Sequence, residues 1–503
     1  MLWFALYLSE LPLEAWLVTA PAHDVAARPC CVVEARRVVL ADAAAAAAGV
    51  TAGMSAATAA SLLSGAAGLQ ILARDPLREA AQVERLALAL ARFTPALVLQ
   101  RDGVLLELSA SLRLFGGARA LWHSVRQCAQ TAGVHALRMA AAPTATAAAV
   151  LARVELPAPA RPRALSTRLN ALPLAETLAS WDIDSRLGEL LHGIGCRTLG
   201  DARALPRTGL QRRGAAALLD TVARAYGEAP DPQPWFEPPP RFEMGLELLH
   251  RADNAAMLVF ATQRLVQPLA GWLVQQGLAA ARLTLLLRHE TSLRHAQPDT
   301  ALPLALGDPT RDAAQLMLLL RERLQRSTLS APVYAIVLRL DEAVSHAAQA
   351  KDQASLWRES GAARNEDAPA LFDRLAARLG AERVQRPTPV ADHRPERAMK
   401  LVPLHQACAP AKAQVESHAL PRPAWLLPEP LRLAEEKASG QPLHQGAPID
   451  LLSRAERIEA GWFDGELVCR DYHVAQARDR RWLWVFRERR GAQAHWYLHG
   501  VFG

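Results

Sequence analysis

Lysine is almost missing from this 503-residue chain: four occur (Lys351, Lys400, Lys412 and Lys437), none before residue 351, and arginine supplies the rest of the basic charge. No lysine nucleophile, Schiff base or phosphate clamp can therefore operate in the first two-thirds of the sequence. The six cysteines (Cys30, Cys31, Cys128, Cys196, Cys408 and Cys469) form no C-x-x-C pair and no Cys/His cluster at zinc spacing. That argues against a structural metal and fits a reducing compartment, the cytoplasm by default. Charge is wholly absent from Ala43 to Ala73. Such a run raises the question of a membrane span, but its Ala, Gly, Ser and Thr content is barely hydrophobic and Gly49 and Gly53 interrupt it, so small-residue helices of a soluble domain are expected, with no membrane partner. The apolar opening "MLWFALYLSELPLEAWLV" lacks a basic segment and a convincing cleavage site, and Glu10 and Glu14 break it; a buried strand and a following helix are expected. No G-x-x-x-x-G-K loop occurs, "RHETS" is not H-E-x-x-H, and no Ser-His-Asp spacing stands out.

The length implies about three or four domains, and a hydrophobic fraction of 51% makes the chain globular. The net charge of +7 is diffuse; it suits an anionic partner and plain solubility equally. "WFALYL" predicts a strand, "LPLEAW" a helix, and "CCVVEARRVVLADA" a strand pair, followed by short helices to about residue 92. "GVLLELSA" (103–110) alternates as a half-buried strand, a helix is expected over 118–132, "LRMAAAP" is a further strand and "TATAAAVLARV" a helix. This is an α+β pattern. Pro-rich stretches at 156–166 and 230–242 mark boundaries, and between them lie short helices around "LLHGIGCRTLGDARALP". Residues 243–342 read β-α-β-β-α-β, an order that covers one face of a four-stranded sheet with two helices and leaves the other face free. Polar sequence at 345–369 predicts a linker, and the last 50 residues predict a small Trp-rich β unit.

These pieces, in this order, resemble a Y-family translesion DNA polymerase: palm and fingers (1–165, fingers about 28–75), a helix-hairpin-helix thumb (166–240) and a βαββαβ little finger (241–345). The motifs that carry the resemblance are "SASLRLFGG" (109–117), similar to L-D-L-T-G-S-x-x-L-F-G, and "AGVTAGMSAATA" (48–59), similar to F-G-V-x-x-G-M-P-x-x-x-A. Such an enzyme needs clustered carboxylates for two divalent cations. The resemblance puts Leu6 at the first-strand metal ligand and Tyr7 at the steric gate. It puts Asp102 at one acid of the second strand and Gly103 at the other. "DAAAAAAGV" sets Ala43 and Ala46 where a tyrosine and an arginine would touch the triphosphate, and "PTATAAA" sets Ala145 where a phosphate-binding lysine would stand. One surviving carboxylate does not hold two cations. The other acids within ten residues are Glu10, Glu14 and Glu107, and Glu107 alternates away from Asp102. The expectation is a degenerate enzyme with no cofactor.

The tail strengthens this. "DHRPERA" (392–398), "RPAWLLPEPLRL" (422–433), "RAERIEAGWFDG" (454–465), "CRDYHVA" (469–475) and "HWYLHGVFG" (495–503) resemble the ImuB family, polymerase-like partners in bacterial damage-induced mutagenesis. The resemblance implies a non-catalytic scaffold of the SOS type, joining a sliding clamp, primer-template DNA, a RecA-like accessory protein (ImuA type) and an error-prone C-family polymerase, with a linker (346–420) and a partner-binding region (421–503). "QASLW" resembles the clamp-binding pattern Q-L-S/D-L-F, which points to Gln353, Ser355, Leu356 and Trp357; "QLMLL" (315–319) matches too, but lies on an expected amphipathic helix. In "HGIGCRTLGD", Gly193 and Gly195 permit close approach of a DNA phosphate, with Arg197 and Thr198 adding contacts; a tight turn that touches nothing fits equally. "RERLQR" (321–326) suits a solvated helix face or DNA, and "WLWVFRE" (482–488) suits core or a partner surface. The alternatives to a scaffold are an active low-fidelity polymerase and a structure-specific DNA-binding module.

Overall fold

The computed structural model describes residues 1–18, 28–63, 68–154, 164–290, 298–329, 331–346, 367–403, 421–436, 439–489 and 494–502. They form two compact units, Met1–Arg378 and Leu379–Gly503.

The apolar run Trp3–Leu8 becomes the inner strand of an antiparallel sheet, flanked by Gly103–Glu107 and Leu137–Ala142, with Leu97–Gln100 at one edge. Both of its faces are covered, which is why its sequence is continuously apolar rather than alternating. Phe4, Leu6 and Leu8 pack toward the helices Pro76–Leu90 and Ala118–Thr131. Trp3 and Ala5 pack toward the helix Ala145–Val154 and the short helices after it. The fingers are a small sheet of Arg37–Ala41, Cys30–Glu34 and Gln70–Ala73. The alanine run forms the helix Ala43–Ala47, capped by the Asp42 carboxylate on the Ala45 amide at 2.7 Å. Alanine is the best intrinsic helix former, and here Ala45 alone among the five helical alanines is buried. Two expectations are corrected. Residues 70–73 form a strand and not part of a helical run, and Pro76–Leu90 is a single helix of 15 residues started by Asp75.

The thumb helices Leu165–Asn170, Leu174–Ser180, Ser185–Gly193, Leu199–Ala204, Arg207–Gln211 and Ala216–Ala225 bury Leu169, Leu178, Leu191, Leu199, Leu210 and Leu218 in the core beside Ala145–Val154. The Pro-rich stretch that follows is pinned to the palm and to the helix Ala255–Gln276. Trp235 stacks on Trp3 at 5.7 Å, the Phe236 amide donates to the Leu97 carbonyl at 2.7 Å, and Trp272 Nε1 donates to the Pro239 carbonyl at 2.9 Å.

The little finger has the expected βαββαβ order, its antiparallel sheet running Thr300–Thr310, Leu278–His289, Val333–Ser345, Glu243–Ala252. The helices Ala255–Gln276 and Ala313–Arg326 share a core with Leu283, Leu285, Leu287, Ile336 and Leu338. Arg282, Arg288 and Arg339 alternate with those residues and pair with Glu342, Asp299 and Asp341 at 2.7, 3.9 and 2.7 Å. Ala255–Gln276 also crosses Pro76–Leu90 closely: a Cβ on Gly271 would stand 1.9 Å from the Leu88 carbonyl oxygen. The small residue lets the two backbones touch. The result is a stack of palm sheet, palm helices, little-finger helices and little-finger sheet.

The second unit is built on the strands Trp425–Arg432, Trp496–Val501, Trp482–Glu488, Val468–Gln476 and Asp450–Leu451, hydrogen-bonded in that order, with Glu456–Ala460 also on Val468–Gln476. Its core holds Tyr472, Trp484 and Phe486, which assigns most of "WLWVFRE" to core and leaves Trp482 half-exposed. The expected linker is shorter than 346–420. Gln385–Pro389 pairs with Met399–Pro403, and Arg394 is buried against Asp392 at 2.7 Å and Asp464 at 2.6 Å, so this stretch belongs to the second unit. Gln353, Ser355, Leu356 and Trp357 lie outside the described residues.

Candidate functional site

The palm positions of interest meet at one end of the central strand. Sheet register sets Leu6 opposite Val104 and Tyr7 opposite Gly103. Leu6 is buried in the core under the palm helices. Gly103 is sterically closed: a Cβ there would lie 2.0 Å from the Leu6 carbonyl oxygen, so a glutamate cannot be added without moving the strands apart. Asp102 is next to Gly103, and its main-chain carbonyl accepts from the Leu8 amide at 2.9 Å. Its carboxylate is taken by Arg153 from the last turn of Ala145–Val154, through Nε at 3.2 Å and through a second, short contact from Nη2. Arg153 also donates to Gln100 Oε1 at 2.9 Å and stands 5.8 Å from the Tyr7 ring centroid. A guanidinium thus neutralises the one carboxylate that a cation could use. Glu107 is spent locally, accepting from the Ser109 amide at 3.1 Å. The residues do not fit a two-cation centre, and among the described residues no group of three or more His, Cys, Asp and Glu is placed to hold a metal.

The triphosphate positions are equally bare. Ala43 and Ala46 are exposed on the fingers helix, and Ala145 is fully buried at the start of its helix. That helix start, where backbone amides attract anions, already holds a carboxylate of the chain itself: Asp231 accepts from the Thr146 amide at 2.8 Å and the Thr146 hydroxyl at 2.9 Å.

The thumb hairpin follows the same pattern. Gly193 ends one helix, Gly195 turns with φ +95°, and Thr198 caps the next. The amides of Arg197 and Thr198 donate to Asp201 at 3.0 and 2.9 Å, while the Asp201 amide donates to the Thr198 hydroxyl at 3.2 Å, a reciprocal cap. These bonds hold the Asp201 carboxyl below the usual range. Asp201 thus fills the amides of Arg197 and Thr198 at the start of this helix. The Arg197 guanidinium lies against the His192 ring. In "RERLQR", Arg326 donates to the Ala377 carbonyl at 3.2 Å.

Sequence reasoning missed Arg153, although it is the sole charged residue of its helix, and it missed Asp231 and Asp201 as occupants of helix starts. It also missed that the tail motifs converge. Arg470 donates to Glu396 at 3.0 Å, Tyr472 and His499 share a hydrogen bond of 2.7 Å, and Arg394 joins Asp392 to Asp464.

Among the described residues no helix is long and apolar enough to cross a membrane. No family model matches the chain. The chain is similar to Protein ImuB of Caulobacter vibrioides, in strain NA1000 / CB15N and in strain ATCC 19089 / CIP 103742 / CB 15; each is 28% identical over 468 residues, covering 85% of this chain and 95% of the relative. Among solved structures it is similar to a Dbh ternary complex (TM-score 0.38, 17% identity, 68% of this chain and 99% of that one) and to DinB from Sulfolobus solfataricus (TM-score 0.37, 16% identity, 69% and 99%).

Proposed function

We propose that this chain, which is 28% identical to Protein ImuB over 85% of its length, is a non-catalytic, Y-family-like scaffold of damage-induced translesion DNA synthesis. It links a sliding clamp and primer-template DNA to an error-prone C-family polymerase and a RecA-like accessory protein. The observation that carries the reading is the Asp102–Arg153 pair beside a buried Leu6 and a closed Gly103. Two magnesium ions need a clustered set of carboxylates to offset their mutual repulsion and lost hydration. This palm offers one, and a fixed cation already neutralises it. Clamp contact is assigned to Gln353, Ser355, Leu356 and Trp357, and DNA contact in the thumb to the open backbone at Gly193 and Gly195 with the side chains of Arg197 and Thr198.

Primer extension by the purified full chain, with Mg²⁺ or Mn²⁺ and all four deoxynucleotides, tests the central claim. No extension is expected from the natural chain. Extension that disappears on Asp102→Ala would overturn the reading. In the same preparation, Gln353→Ala with Trp357→Ala is expected to abolish clamp pull-down, and undiminished capture rejects that assignment.

A further inference from the structure

Three helices of the first unit meet around a groove of about 680 Å³, Ala118–Thr131 from the palm and Ala255–Gln276 and Ala313–Arg326 from the little finger. The first two line it with uncharged polar side chains three or four residues apart, the spacing of one helix face: Ser124, Gln127 and Thr131, then Gln263 and Gln267. The third adds Met317, Leu318 and Arg321, and Phe93 and Phe115 extend the apolar wall, their ring centroids 5.2 Å apart. The free charge of the lining has one sign. Arg92 and Arg321 are not buried and have no hydrogen bond or ion pair among the described residues. Because Arg92 Nε is buried, its Nη pair is the part of that guanidinium a ligand can meet. The single carboxylate in the lining, Asp312, is engaged as a helix cap by the Ala314 amide at 3.0 Å. The side-chain amides of Gln127, Gln263 and Gln267 are likewise unburied and without a partner among the described residues, and a primary amide both donates and accepts.

These features narrow the ligand. A simple anion would leave the apolar wall bare, and a wholly apolar ligand would leave two guanidinium groups beside it unanswered. Nucleic acid is held chiefly by phosphate contacts in series, and two arginines next to an apolar wall give it few. An extended peptide with carboxylates on either side of one bulky apolar side chain answers every element. Carboxylates match guanidinium forks, the adaptable Met317 beside Leu318 and Phe115 receives an apolar side chain, and the glutamine amides suit a peptide backbone. We propose that this groove docks an acidic peptide segment of a partner protein, with carboxylates on Arg92 and Arg321 and one bulky apolar side chain against Met317 and Leu318. Palm and little-finger helices build the groove together, so the docked peptide touches both. The site shares no residue with the Asp102 cluster, the thumb hairpin or the Gln353–Trp357 segment, so it stands or falls apart from the scaffold reading.

Fluorescence anisotropy on the full chain tests this with labelled acidic peptides in which Asp-Glu pairs flank a central Leu, Met, Phe or Trp. The controls are the same peptides with a central Gly, the same peptides with Lys replacing the acids, and a labelled oligothymidylate. At least one acidic peptide with an apolar centre is expected to bind, and its Gly and Lys counterparts at least about tenfold more weakly. Arg321→Glu, at an exposed position, and Leu318→Asp, at a partly exposed one, place like charge in the groove and are each expected to weaken that peptide at least about tenfold while leaving the melting temperature of the chain unchanged. Absence of binding to every acidic peptide, equal binding of the Gly-centred peptides, or binding that neither variant changes overturns the proposal. Oligothymidylate that binds more tightly than every peptide, and that the same variants weaken, assigns the groove to nucleic acid and overturns it as well.

Discussion

The palm and the C-terminal unit treat their conspicuous side chains in opposite ways. In the palm, the positions at which the resemblance places nucleotide and metal ligands are bare, buried or occupied from within: Leu6 lies in the core, Arg153 holds Asp102, and Asp231 holds a helix start. In the C-terminal unit several charges are also paired, among them Arg394 with Asp392 and Asp464 and Arg457 with Asp471, yet large aromatics remain outside, with Trp462 79%, Trp425 73% and Trp482 48% exposed. Burial of an aromatic ring is strongly favourable, so these exposed rings make the C-terminal sheet the place to test for a partner surface. The contrast teaches where to probe: in the palm the side chains answer one another, while on the C-terminal sheet large rings are left for a proposed partner.

The largest effect that would break this contrast comes from exchanging core and surface tryptophans of the C-terminal sheet. Trp484 is fully buried, its ring 4.1 Å from Tyr472 and with the Arg422 guanidinium 5.0 Å from its centroid. Trp484→Ala is expected to cost about 3–5 kcal/mol, the usual range for deleting a core aromatic. Trp462→Ala is expected to stay within about 0.5 kcal/mol while weakening capture of the C-family polymerase. Hydrogen exchange of the Val468–Gln476 amides with denaturant checks the first, and pull-down the second. If Trp462→Ala also unfolds the sheet, its exposed rings are structural.

Next in size is a pH effect confined to the same unit. Burial pushes the His499 imidazole below its ordinary value, with the Arg470 charge in the same direction and Glu396 opposing. Tyr472 faces it through the shared hydrogen bond, and Glu396 lies 3.9 Å from Nε2. The folded state therefore takes up the proton less readily than the unfolded chain. The stability this contributes is present above about pH 6.5 and is lost as pH falls through that value toward the lowered one. Protection of the Val468–Gln476 amides is expected to weaken from pH 8 to pH 5, and His499→Gln to flatten the trend. An unchanged slope in that variant would place the titration elsewhere.

Much of the fold is legible in the sequence because it rests on periodicity. The two-sided burial of "WFALYL" and the βαββαβ order of residues 243–342 follow from apolar spacing, whereas "WLWVFRE" fits core and partner surface alike until the sheet buries Trp484 and Phe486. Leu97–Gln100 and Gln70–Ala73 escape because four residues are too few to show a period. The candidate site is legible only through the resemblance. It sets Leu6, Gly103 and Ala46 at ligand positions they cannot serve, but nothing in a sequence pattern says that Arg153 reaches a carboxylate 51 positions earlier, or that Asp231 reaches back to Thr146. Such pairings are tertiary, made by chain segments that the sheet and thumb bring together. The occupied thumb hairpin, by contrast, has a local signal. "RTLGD" contains its own capping box, and a carboxylate three residues past a threonine cap competes for the amides that an outside phosphate would use.

The smallest expected effect is the sharpest test of whether the Asp102 site can hold a cation. Arg153 and Asp102 side chains are 17% and 34% exposed, so their pairing is partly solvated and Arg153→Ala is expected to cost no more than about 1 kcal/mol. The variant leaves Asp102 free while Leu6 and Gly103 stay as they are. If the guanidinium merely blocked an otherwise adequate centre, its removal would let Mn²⁺ bind, visible as paramagnetic broadening of resonances around Val104 and Leu8, and would restore some nucleotide incorporation. If the cage itself is gone, Mn²⁺ broadening stays at the level of the natural chain. We expect the second outcome, because a lone carboxylate beside a buried leucine gives a hydrated divalent ion too little in exchange for its water. Arg153 would then be the residue that makes Asp102 tolerable in a partly buried place, and not a plug in an otherwise adequate cation site.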